Sequence, residues 1–195
     1  MLDLKRYGAS PYAWAGIIAV AIMVVSVMIC LMVDKGWDYE QGSLCDFGVS
    51  EIKWVSVLFI TACAVSGSLF IISGFGWFLF EESKWVRYGG LVIMLAGLSL
   101  ICVGIFDKTY SFHQGVAVMF AVIFIIAIAL VSVQDILDRH LVLVAGLAIL
   151  GIFGIVTMFV SIVPYSMIQM IMMGYVFLWF SVKSMRLRDK GTVLE

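Results

Sequence analysis

Long apolar runs, broken only by short polar turns, constrain this chain more than any other feature. The stretch VAVMFAVIFIIAIALV, residues 116–131, has no charged side chain and no polar–apolar alternation. A strand of a membrane barrel alternates, one face to lipid and one to the lumen, over about ten residues. Unbroken runs fit α-helices instead, and a helix needs about 17–25 apolar residues to cross the hydrocarbon core. Runs of that length lie at 12–33, 52–80, 85–106, 114–133, 141–163 and 165–182. The expected fold is therefore all-α: a polytopic membrane protein of six transmembrane helices, one membrane domain over 1–195 with a basic tail at 183–195. Composition agrees, because only 13% of residues are charged, against about a quarter in soluble domains.

The ends of the runs carry ordinary helix punctuation. Pro11 precedes the first, and proline suits the first turn of a helix. Pro164 marks the end of the fifth. Gly67, Gly74 and Gly76 are places where the long second run is expected to kink. The first run follows Lys5–Arg6, as a secretory signal would, but it is too long and no small-residue cleavage site follows before Asp34. It is expected to be a retained span.

Lys and Arg set the orientation, since cytoplasmic loops are enriched in them. With the N-terminus inside, Lys5, Arg6, Lys84, Arg87, Arg139, Lys183, Arg186, Arg188 and Lys190 are cytoplasmic. Lys35, Lys53 and Lys108 are outside. The bias places both termini in the cytoplasm of a multi-pass cell-membrane protein. The tail SVKSMRLRDKG reads as a stop-transfer anchor, its basic groups attracted to anionic headgroups.

The spans hold no Asp, Glu, Lys, Arg or His near their middles. Intramembrane charge usually marks an ion path or proton relay, so a proton-driven pump is disfavoured. Ser66, Ser68, Ser73, Ser99, Thr157 and Gln169 are the main polar side chains inside the runs. Gly97, Gly104, Gly146, Gly151 and Gly154 suit close helix contact. The aromatic residues gather at span ends as an interfacial belt. Cys30, Cys63 and Cys102 lie in apolar runs and Cys45 in a polar loop. Without CxxC spacing or a nearby His they are expected to be free thiols rather than zinc ligands. No cofactor or metal is expected.

Two outer loops hold the polar residues from which a site is built. GSLCDFGVSE, residues 42–51, contains Cys45, Asp46 and Glu51. FDKTYSFHQG, residues 106–115, contains Asp107 and His113. If the second span packs beside the third and fourth, Asp46 and Asp107 converge on His113. A carboxylate bonded to one imidazole nitrogen leaves the other free as a base or ligand. His113, Asp107 and Asp46 are the candidate catalytic groups, with Glu51 and Cys45 as candidate ligand contacts. The bland alternative is that these groups cap helices at the interface. On the inner side, Asp135, Asp138, Arg139 and His140 read as a solvated turn. The chain lacks GxSxG, HExxH and phosphate-loop motifs.

The pattern CDFGV before the second span, with GLSLICVGIFDKTYSFHQGVAVMF across the third turn, resembles a prokaryotic six-span membrane family labelled domain of unknown function nine-nine-eight. Asp46 and Gly48 match that family's motif before the second span. Gly104, Ile105, Phe106 and His113 match its Gly-Ile-Phe turn and following His. Cys45 stands where Ser is usual, Asp107 where Pro is common, and Phe59–Ile60 where an Asn is expected. The layout is also faintly similar to a eukaryotic six-span family of autophagy modulators and GPI-anchor remodelling proteins. That similarity implies lipid chemistry without assigning an activity.

These readings converge on binding, remodelling or transfer of a lipid or small molecule at an outer polar site. The alternatives are an accessory subunit or scaffold, and a channel or uniporter. Membrane lipids are the expected partners, with a membrane protein or a second copy of the chain as alternatives; nothing points to nucleic acid.

Overall fold

The computed structural model describes residues 9–139 and 164–192. Five of its helices are long and apolar enough to cross a bilayer. They are α1 (Ser10–Val33), α2 (Lys53–Phe80), α3 (Lys84–Ile105), α4 (His113–Leu137) and α5 (Tyr165–Thr192). A 3₁₀ turn, Leu44–Val49, lies between α1 and α2. No strand occurs among the described residues, as expected where water is absent and helices satisfy their own backbone. The expected span at 141–163, with His140, lies outside the described residues.

Two helices outrun their apolar runs. α4 continues past 133 to Leu137, and α5 continues past 182 to Thr192. Their last turns are therefore polar helix rather than loop. Arg139 follows α4 with φ 61°, a left-handed conformation that commonly terminates helices.

α4 packs on α3, α3 on α2, α2 on α1, and α1 on α5. The order α4–α3–α2–α1–α5 forms an arc whose two ends approach through side chains. Phe70 of α2 is the hub, with ring centroids 5.8 Å from Phe124, 6.1 Å from Phe177 and 4.9 Å from Phe180. Phe124 of α4 and Phe180 of α5 meet at 5.9 Å.

Glycines set the closest contact, between α2 and α3. A Cβ on Gly67 would lie 2.5 Å from the Gly97 carbonyl oxygen, and one on Gly97 would lie 2.5 Å from that of Gly67. Gly74 and Gly90 repeat this reciprocity at 2.5 and 2.6 Å. One heptad further along α3, a Cβ on Gly104 would lie 3.0 Å from the Ile60 carbonyl oxygen. Positions 60, 67 and 74 thus pair with 104, 97 and 90, a seven-residue register of an antiparallel coiled-coil-like pair. Gly67 and Gly74 have a further role: α2 is one continuous helix from Lys53 to Phe80, and these glycines admit the neighbouring backbone.

Candidate functional site

The loops before α2 and between α3 and α4 do meet. The chain after α1 folds back over the bundle, with Phe47 fully buried between Trp37 (centroids 5.1 Å apart) and Phe59 (6.2 Å). This apolar anchor presents the 3₁₀ turn to the α3–α4 loop. Asp46 closes the turn by accepting the Ser43 N–H at 2.6 Å, and its other oxygen pairs with Lys108 of the neighbouring loop. A Cβ on Gly48 would lie 3.9 Å from that of Asp107. Asp46 and Asp107 therefore share one layer.

His113, at the start of α4, is only 4% exposed. Its Nδ1 bonds the carbonyl oxygen of Phe106. A carbonyl only accepts, so Nδ1 carries a proton; in the tautomer protonated there alone, Nε2 presents a lone pair. Nε2 is buried and has no partner among the described residues. The expected carboxylate–imidazole dyad is thus corrected in one respect: the orienting acceptor is a backbone carbonyl. Asp107 turns the other way and accepts from the Thr109 N–H at 2.9 Å and from the Thr109 hydroxyl. These bonds hold its carboxyl below the usual range, with a smaller contribution from His113 and burial opposing.

The remaining expected contacts are peripheral. Glu51 is exposed, and none of the described bonds joins it to the cluster. Cys45 is free, and burial pushes its thiol up to about 11, with Lys108 opposing and Asp46 adding to the rise. A thiol with so high a pKa is a poor nucleophile at neutral pH. The described residues contain no group of three or more His, Cys, Asp or Glu arranged for a metal.

Sequence reasoning missed two polar ties, both made by α5. At its N-terminal end, Gln169 Oε1 accepts the Leu44 N–H at 2.9 Å, and the Ser166 hydroxyl donates to the Tyr39 carbonyl. Toward its C-terminal end, Asp135 of α4 is 3% exposed and accepts from Lys183, itself 8% exposed, and from Arg186 at 3.4 Å. The expected solvated turn is corrected at Asp135 alone, which α4 and α5 enclose between them; Asp138 and Arg139 do form an exposed turn. Opposite charges at the ends of two spans were the available signal.

No curated protein and no solved structure matches the chain. The family model described as Protein of unknown function (DUF998) matches residues 17–185. That span takes in all but the first turns of α1 and the end of α5, together with both outer loops, and the chain belongs to this family.

Proposed function

We propose that this is a six-span protein of the cell membrane, with both termini cytoplasmic, that binds a lipid headgroup in the outer polar layer. Helix direction supports six crossings. Asp135 and Lys183 put the C-terminal ends of α4 and α5 on the same side, so these helices run parallel. Parallel neighbours need a connection that returns across the layer. Residues 141–163 have the length and composition for that return. The Lys and Arg bias then sets the inner side.

The binding reading rests on His113 Nε2, a buried ring nitrogen without a partner among the described residues. An unmet buried polar atom costs about 1–3 kcal/mol, and a ligand that donates a hydrogen bond removes that cost. The Lys108–Asp46 bridge joins the two loops, and in this reading Lys108 is the cation that meets the phosphate. A headgroup with both a phosphate and a hydrogen-bond donor fits; phosphatidylethanolamine and phosphatidylglycerol have both, whereas phosphatidylcholine has no donor. Native mass spectrometry from mild detergent, with the three lipids at equal concentration, tests this. The expected result is retention of the first two over the third, with the preference lost in His113→Ala. Equal retention of all three by the parent protein would overturn the reading.

A further inference from the structure

α5 is gripped at both ends, by different parts of the molecule. Its outer end holds the loop that carries the site: Gln169 accepts from Leu44, the residue before Cys45 and Asp46. Its inner end is held to α4 through Asp135 by Lys183 and Arg186. The two grips are fourteen residues apart on one helix, about 21 Å at 1.5 Å per residue. Asp135 is the described polar link across the seam between α4 and α5, the two ends of the arc. A helix is stiff along its axis, so a shift at one grip is transmitted to the other.

We propose that α5 is a transmembrane coupling rod, through which the Asp135–Lys183–Arg186 cluster at the inner face controls the packing of the 3₁₀ turn at the outer face. Arg186 is the accessible input, 43% exposed and held by a single longer contact. An anionic group at the inner face that drew Arg186 from Asp135 would loosen the inner grip, and Leu44 would report it through Gln169. This inference concerns the turn itself, so it stands or falls separately from ligand binding at His113.

The test is the alkylation rate of Cys45 by a water-soluble maleimide. The full chain is held in phospholipid nanodiscs at fixed pH, and the rate at Cys45 is read by peptide mapping. Gln169→Leu releases the outer grip directly and Asp135→Asn the inner one. Each is expected to raise the rate about tenfold, a typical coupling between distant sites, and the double variant is expected to exceed neither single. Arg186→Gln alters only a half-exposed side chain and leaves Lys183 on Asp135; if Asp135→Asn does not fold, it replaces that variant, with about a threefold rise expected. A parent-like rate in the inner variant that folds would overturn the proposal. So would multiplying effects in the double variant, which would mean independent sites.

Discussion

At the scale of single residues, the outer layer is decided by which acceptor each donor finds. His113 opens α4, so its ring folds back onto the carbonyl left open at the end of α3, leaving Asp107 to bond Thr109. Two predictions follow. Lys108→Ala removes the tie between the loops, and His113 should then react faster with diethylpyrocarbonate; an unchanged rate would show that Lys108–Asp46 does not cover it. Asp107 has a depressed pKa, so it adds stability above the ordinary carboxyl range, which is lost as pH falls through the lowered value. Thr109→Val should move the Asp107 carboxyl up toward its ordinary value, as followed by carbon NMR of that side chain. Asp46, Asp107 and His113 were legible as a group because all three border spans on one side. Their bonds were not, because rotamers and loop paths decide them.

At the scale of elements, the α2–α3 pair gives the sharpest expectation. Gly67→Ala or Gly97→Ala places a methyl against a carbonyl oxygen of the opposing backbone, and overpacking of this kind costs about 1–3 kcal/mol. Gly115, on α4, has nothing within 4 Å of the position its Cβ would take. Gly115→Ala should stay within about 0.5 kcal/mol of the parent. Thermal unfolding in detergent checks both; equal effects at Gly67 and Gly115 would remove the heptad register. The glycines were visible in sequence, and Gly97 and Gly104 read as packing positions. Gly67 and Gly74 read as kinks because the partner that gives them meaning lies on another helix.

At the scale of the molecule, the arc is closed by aromatic rings and one buried ion cluster. Removing one partner of a buried pair leaves an uncompensated charge, and Lys183→Met should cost about 3–5 kcal/mol. The exposed Lys108–Asp46 pair should contribute under about 1 kcal/mol, measured as Asp46→Asn. If the two losses were equal, Asp135 would be hydrated rather than buried.

The sequence alone determined the all-helical class and the gathering of polar groups in the turns between apolar runs. Those properties depend on transfer from water to hydrocarbon, a sum over neighbouring residues along one segment. Only the tertiary structure decided that Asp135 meets Lys183, that Gln169 holds Leu44 and that Gly67 faces Gly97. Each of these joins residues distant in the chain, and the choice of partner depends on helix register and direction, which hydropathy does not encode.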